Sequence, residues 1–441
     1  MLILKAYKFR LEPTPEQSQR LRQLCGCARF VWNLGLAETK RILDSGEKLP
    51  SAFELNRMIT VWKKMPEYIF LQDAYTDNLQ QKLKDLHTAW KRCFDKKLAA
   101  KAPVWKRKNE GRDSIRFVNF EKYCCLENRR VKLPSGLGWV KFRQSQRVNG
   151  KIKNATISQL AGQWYISFQV EIETAEPNHT STTIVGLDAG VAKLATLSDG
   201  TVFEPVNSFQ KNQKKLARLQ RQLSRKVKFS NNWQKQKRKI QCLHSRIANI
   251  RRDYLHKVTT TVSKNHAMIV IEDLKVSNMS KSAAGTVSQP GRNVRAKSGL
   301  NIVIEDLKVS NMSKSAAGTV SQPGRNVRAK SGLNRSILDQ GWYEMRRQLE
   351  YKQLWRGGQV LAVPPAYTSQ RCACCGHTAK ENRLSQSQFR CQVCGYTANA
   401  DVNGARNILA AGHAVLACGG TMQSDRPLKQ EPDAEQSAVT H

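Results

Sequence analysis

Two apolar runs, Ile184-Val185-Gly186-Leu187 and Met268-Ile269-Val270-Ile271, read as buried strands, and each ends in a carboxylate, Asp188 and Glu272. A third acid, Asp401 in Asn399-Ala400-Asp401-Val402-Asn403, stands where a helix opens. The three lie far apart in sequence but in contexts that can converge, and converging carboxylates are the ligand set of a divalent metal. A lone Asp at a strand end is more often a turn former. Asp188 differs because Ala189-Gly190 follow it, small residues that let a phosphate approach.

Just before the third acid stand four cysteines in two knuckles. Cys372 and Cys375 are answered, 15 residues on, by Cys391 and Cys394, and a glycine follows each knuckle. Four thiolates at this spacing are the signature of a tetrahedral zinc ribbon, and the glycines allow the tight turns that aim backbone N–H groups at sulfur. Cys374 is a spare thiol inside the first knuckle. Cys25, Cys27, Cys124 and Cys125 have no second Cys or His pair nearby and read as core thiols. The amino terminus shows no signal-peptide pattern and no apolar run long enough for a bilayer, so a cytoplasmic location is expected, where twelve cysteines mean metal ligands and free thiols rather than disulfides.

Charge narrows the partner. Lys and Arg number 73 against 35 Asp and Glu, a net charge of +38 over 441 residues. A fold this short of acids repels itself unless counter-charge is supplied, and an extended polyanion, nucleic acid, supplies it. The excess is concentrated between Lys211 and Val258, with sixteen Lys or Arg and one acid, Asp253. Leu216, Leu219 and Leu223, then Ile240, Leu243, Ile247, Ile250, Tyr254 and Val258, recur at helical spacing, so residues 211–258 read as a helical pair facing a polyanion.

Elsewhere the pattern changes along the chain. Tyr7, Phe9 and Leu11 alternate with Lys8 and Arg10 in a short first strand, 1–13. Thr14-Pro15-Glu16-Gln17 supplies an N-cap, a proline at the first helical position and a capping-box partner, and helical spacing runs through 14–110. Alternating strands follow over 111–182, ending in Trp164, Ile166, Phe168, Val170 and Ile172, with turns at Gly150 and Ala161-Gly162; an antiparallel barrel or sandwich is expected. Three quick strands, Thr183–Asp188, Ala192–Ser198 and Thr201–Glu204, then open an α/β region over 183–366, in the order of an RNase H-like fold. The ribbon occupies 367–397, a last segment of the α/β region 398–415, and a tail at 416–441 reads as disordered.

One feature breaks this plan: residues 269–301 recur letter for letter as 302–334. Two glutamates, Glu272 and Glu305, therefore compete for one position. Copy one is entered from Ala267-Met268 and offers the longer apolar strand, and burying a side chain of methionine size is worth about 1.5 to 3 kcal/mol. Glu272 is expected in the sheet, with Ile302–Glu305 as a surplus surface strand and the rest of the repeat a mobile basic loop.

Gly186-Leu187-Asp188, Ile271-Glu272-Asp273-Leu274, Thr368-Ser369-Gln370-Arg371-Cys372 and Asp401-Val402-Asn403 in combination resemble the TnpB (OrfB) family of insertion-sequence proteins, related to compact type V CRISPR effectors. The likeness runs from Lys5 to Leu409. It implies an RNA-guided DNA endonuclease: a RuvC-like nuclease domain with an inserted zinc ribbon, a β-barrel wedge domain closed by the first strand, and a helical recognition domain. It implies Asp188, Glu272 and Asp401 as catalytic ligands of two Mg²⁺ ions, with Glu305 the alternative to Glu272, and structural Zn²⁺ on Cys372, Cys375, Cys391 and Cys394. The partners implied are a guide RNA and double-stranded target DNA, with no membrane, for a monomer with RNA. Two other classes compete. A tyrosine transposase needs a His-x-His pair, which none of the eight histidines forms. A nuclease-dead regulator is expected to have lost the acids, and all three are present.

Overall fold

The computed structural model describes residues 1–96, 98, 100–108, 113–274 and 327–418, the first five of the last segment as backbone alone. The chain forms two compact units that divide between Ala175 and Glu176.

The first unit is built on β1 (Leu2–Glu12), whose Tyr7, Phe9 and Leu11 are buried as the alternation requires. Helix α1 (Pro15–Asp44) starts on the expected capping box: Gln17 N–H donates to Thr14 Oγ1 at 3.2 Å, and Thr14 N–H to Gln17 Oε1 at 3.0 Å. Helices α2 (Ala52–Trp62) and α3 (Thr76–Phe94) follow, then β2 (Ser114–Val118), the short α4 (Phe120–Tyr123), β3 (Cys125–Glu127), β4 (Arg130–Leu133), β5 (Gly138–Arg143), β6 (Lys151–Leu160) and β7 (Gln163–Glu173). The strands pair in the order β2-β6-β7-β1-β5-β4-β3, antiparallel throughout, with Ala161 and Gly162 at positive φ in the β6–β7 turn. The first strand joins this sheet, but the described pairings do not close a barrel: β2 and β3 end the series without pairing to each other. The helical stretch has a core of its own and also shares one with the sheet. Leu21, Leu24, Cys25 and Ala28 of α1 pack with the sheet, while Val31, Trp32 and Leu36 of the same helix pack with α2 and α3. Cys25 and Cys124 are buried, as core thiols should be; Cys125 is exposed and is not one.

The second unit holds a five-stranded sheet in the order β10-β9-β8-β11-β12. Its strands are β8 (Ile184–Asp188), β9 (Ala195–Leu197), β10 (Val202–Phe203), β11 (Met268–Glu272) and β12 (Gln359–Val363), with β8, β11 and β12 parallel and the other two antiparallel. Helices α5 (Ser208–Ser224) and α6 (Asn231–Asn265) form the expected basic hairpin, held by a small core of Leu216, Leu243 and Ile247, with twelve of its sixteen Lys and Arg exposed. After β11 come α7 (Val327–Gln340) and α8 (Trp342–Arg356), and a last helix, α9 (Ala400–Ala417), lies on the sheet.

The strand of copy one is in the sheet, between β8 and β12. Burial of Met268 is not the reason, because that side chain is only half-buried. The chain leaves α6 at Asn265, and Ala267 already donates its N–H to Thr183 O at 2.9 Å and accepts one from Gln359 at 2.8 Å. The end of copy two begins α7, whose Asp339 caps α5 by accepting the N–H groups of Phe209 and Gln210. The fold thus uses the outer ends of the duplicated block. Glu305, the surplus strand and the expected loop over 275–326 lie outside the described residues, as does the tail from 419 on; residues 327–334, expected as loop, are instead helical in α7, and Leu416 and Ala417, expected in the tail, end α9.

Helix α9 approaches the sheet at glycines. A Cβ on Gly186 would lie 2.1 Å from the Ala405 carbonyl oxygen, a contact with backbone that a side-chain shift cannot relieve. Gly186→Ala is therefore expected to cost about 1 to 3 kcal/mol of stability; an unchanged denaturant midpoint would mean that α9 does not seat there.

Candidate active site

Asp188 and Glu272 are the last residues of β8 and β11, parallel neighbours whose register runs from Met268 opposite Ile184 to Ile271 opposite Leu187. The next position of each strand is the carboxylate, so the two acids leave the sheet side by side, on strands about 4.8 Å apart. Asp401 comes from above, in the first turn of α9, where Asn399 Oδ1 accepts the N–H groups of Asp401 at 3.0 Å and Val402 at 3.3 Å. Gly404, one turn on, makes room: a Cβ there would stand 3.1 Å from Asp188 Oδ2.

The acids are close enough to disturb one another. Burial, followed by the charges of Glu272 and Asp401, raises the Asp188 carboxyl well above the usual carboxylate range, while Arg383 opposes the rise. Burial also raises Glu272, against a 2.6 Å hydrogen bond donated by Thr368 Oγ1 to its Oε1. Asp401 is raised by burial too, against Arg383, whose guanidinium lies 3.6 Å away, and Lys193. Three acids held at that electrostatic cost, with oxygen donors alone, suit a hard divalent cation.

Below them the ribbon brings Cys372, Cys375, Cys391 and Cys394 together, with their sulfurs all within 4.8 Å of one another. Among the described residues this is the one group of three or more His, Cys, Asp or Glu packed so tightly, and it is able to hold a metal ion; the carboxylates are more widely spread. Gly376 and Gly395 take φ of 76° and 70°, and the knuckle amides of Cys374 and Cys394 donate to Cys372 Sγ at 3.4 Å and Cys391 Sγ at 3.5 Å. The spare Cys374 thiol is exposed and outside the group.

Asn403 and Asn407, one turn apart on α9, bind the ribbon to the helix that carries Asp401. Asn403 accepts from Ala373 N–H at 3.0 Å and donates to Arg371 O at 2.8 Å; Asn407 donates to Thr368 O at 2.8 Å and Arg371 O at 2.6 Å. The roles of Thr368 and Arg383 are not legible in sequence. Thr368 lies in a quoted motif without a marked function, and Arg383 reads as a solvated or nucleic-acid-facing residue like Lys380 and Arg390. Those two are indeed exposed, but the Arg383 side chain is 13% exposed and turned to Asp401. Asp273, next to Glu272, accepts from Arg346 at 2.6 Å.

The raised carboxyls have a sign. A native state that keeps protons which the unfolded chain has released loses stability as pH rises through the interval between the ordinary and the displaced pKa. With no divalent ion at the acids, these three carboxyls should contribute a loss of stability from acid toward neutral pH, against the opposite slope of lowered groups such as His244, His256 and His266, so Asp188→Asn should raise the melting temperature more at neutral than at acid pH. Thermal melts of wild type and Asp188→Asn across pH, in Mg²⁺-free buffer with zinc retained, check this; a lower melting temperature for Asp188→Asn at neutral pH would contradict the repulsion.

Comparison with known proteins bears on the chain as a whole. Residues 167–283 match a family described as "Probable transposase", residues 342–408 a "Cas12f1-like, TNB domain", and residues 1–48 a "Helix-turn-helix domain", although here residues 1–48 hold a strand and one long helix. The chain is 63% identical over 429 residues, 97% of each chain, to "Putative RNA-guided DNA endonuclease InsQ" of Escherichia coli. It is 29% identical over 449 residues, 99% of this chain and 98% of the other, to a "Putative RNA-guided DNA endonuclease" of Streptomyces pristinaespiralis. A shorter stretch of 74 residues, 17% of this chain and 18% of the other, is 46% identical to the CRISPR-associated endodeoxyribonuclease Cas12f1 of Sulfoacidibacillus thermotolerans. Two relatives aligned over nearly the full length, together with the matched transposase family, mean that the chain belongs to the TnpB (OrfB) family of insertion-sequence proteins.

Proposed function

We propose that the chain is an RNA-guided, metal-dependent DNA endonuclease associated with transposition of an insertion sequence. One observation carries the reading: carboxylates from β8, β11 and α9 converge at one end of the sheet, close enough that the charges of Glu272 and Asp401 add to burial in raising the proton affinity of Asp188. Relatives named RNA-guided DNA endonucleases and the net charge of +38 support it.

Asp188, Glu272 and Asp401 would hold the catalytic ions, two Mg²⁺ by resemblance to the family. When bound, such ions supply an activated water and stabilisation of a leaving 3′ oxygen. The chain's own residues do the positioning. Thr368 fixes the Glu272 carboxylate through its hydroxyl, and Arg383, 3.6 Å from Asp401, favours the ionised form of that carboxylate against its burial. Ala189, Gly190 and Gly404 keep bulk away from Asp188, leaving access for a phosphate. Cys372, Cys375, Cys391 and Cys394 would hold one structural Zn²⁺, and the ribbon then fixes Asn399 and Asp401 through its strand Thr397–Asn399, which runs directly into α9. Target sequence would be read by base pairing with a guide RNA rather than by side chains. Among the described residues no helix is long and apolar enough to cross a membrane.

Purified, reduced protein should carry about one zinc per chain. Replacing Cys394 should release it and replacing Cys93 should not; metal analysis of a folded sample at well under half an equivalent would defeat the zinc assignment. With its RNA and Mg²⁺ the protein should cut matching double-stranded DNA, and Asp188→Ala or Asp401→Ala should abolish cutting while leaving RNA bound. Guide-independent strand joining would favour a transposase instead. Of the two glutamates, Glu272→Ala should be inactive and Glu305→Ala near wild type. Because the copies are identical, removing either gives the same polypeptide, and that shortened chain should keep or gain activity.

A further inference from the structure

The basic hairpin of α5 and α6 ends in a tip that charge alone does not account for. Between the helices the chain turns through Arg225-Lys226-Val227-Lys228-Phe229-Ser230, where Val227 is 79% and Phe229 70% exposed. Phe229 has φ of 68°, in the left-handed region that bulky residues avoid. Local bonds hold it there. Ser230 N–H donates to Val227 O at 3.2 Å, Ser230 Oγ caps α6 by accepting Trp233 N–H at 3.2 Å, and the Gln234 side chain donates to Phe229 O at 3.1 Å. The Phe229 ring leans on Trp233, centroids 5.5 Å apart, with Lys228 Nζ 5.5 Å from the Phe229 centroid and Lys237 Nζ 5.1 Å from that of Trp233.

An apolar residue ahead of an N-cap is ordinarily a hydrophobic staple, which stabilises by covering apolar surface. This ring stays open to solvent, and a glycine would take the same φ without strain. Strain and exposure together mean that the turn is built to display the Phe229 ring, beside a half-buried Trp233. What they face is set by charge: no acid occurs between Glu204 and Asp253, and cations surround both rings. An apolar peptide gains nothing from that surround, whereas unpaired bases offer π faces to the rings and phosphates to the lysines.

The tip also stands away from the acids. A helical rise of about 1.5 Å per residue puts roughly 48 Å between Trp233 and Asn265, and a strand of β11's length returns only about 16 Å of that. A contact so placed holds nucleic acid rather than cutting it, which favours the resident RNA over the strand at the metals. We propose that Phe229 and Trp233 form a stacking platform for unpaired bases of the RNA that the chain carries, with Lys228 and Lys237 on the adjoining phosphates. This rests on the RNA-guided reading above.

Full-length Phe229→Gly tests it, since that change removes a ring and relieves the backbone. The variant should melt no lower than wild type yet bind unstructured polyuridine about 5- to 100-fold more weakly, the range for one lost stack. Its salt dependence should be unchanged, whereas Lys228→Ala should lower the slope of log affinity against log salt by about 0.7. Trp233→Ala should act in the same direction, and loop nucleotides of the co-purified RNA should become open to chemical probing in both ring variants. Duplex RNA should bind wild type and Phe229→Gly alike. Equal polyuridine affinity and an unchanged probing pattern would overturn the platform, even if the wild type cuts guide-matched DNA. A wild-type protein that retains no RNA would overturn both this inference and the reading beneath it.

Discussion

The close seating of α9 on β8 and β11 is the contact on which the rest of the second unit depends. Gly186 lets the helix backbone lie against β8 at Ala405, and Gly412 lets it lie against Val270 of β11, where a Cβ would come within 2.6 Å of a valine methyl. Because the approach is backbone to backbone at Gly186 and backbone onto the Val270 side chain at Gly412, the helix has little freedom to slide, and the turn that bears Asp401 is delivered over the ends of the two strands that bear Asp188 and Glu272. Asn403 and Asn407 carry the same constraint outward to the ribbon, each bonding backbone atoms near the first cysteine knuckle. Thiolate chemistry and carboxylate chemistry are therefore mechanically joined through one helix.

That geometry concentrates what the chain otherwise lacks. Acids are few, yet three stand together, each raised by burial and one by its neighbours' charge. Thr368 and Arg383 temper the cluster without neutralising it. Such a cluster is a local loss of stability, and the packing around α9 is what sustains it. The opposite charge lies on the α5–α6 hairpin, most of whose cations are exposed and open to a polyanion.

The duplication is absorbed by the same logic. The sheet takes its strand from the beginning of copy one, because α6 feeds that strand within three residues. Helix α7 takes its first turns from the end of copy two, because Asp339 just beyond caps α5. Between these anchors extra chain is a lengthened connection, and the entropy of a connection grows slowly with its length.

Local signals carried far in this chain. Alternation marked β1 and β7, the Thr14–Gln17 box marked the start of α1, and the spacing of Cys372, Cys375, Cys391 and Cys394 marked a group whose sulfurs do meet. These are legible because strand period, capping and knuckle geometry are settled within a few residues. The open ends of the seven-stranded sheet, the sharing of α1 between two cores, the half-burial of Met268 and the turn of Arg383 toward Asp401 were not legible. Each depends on which distant segment arrives alongside, and a sequence states residues but not neighbours. By itself the sequence determined which side chains were available for metal and polyanion. The tertiary structure decided which copy of the repeat enters the sheet and which cation faces the acids, because pairing partners and close helix approach are properties of the packed chain.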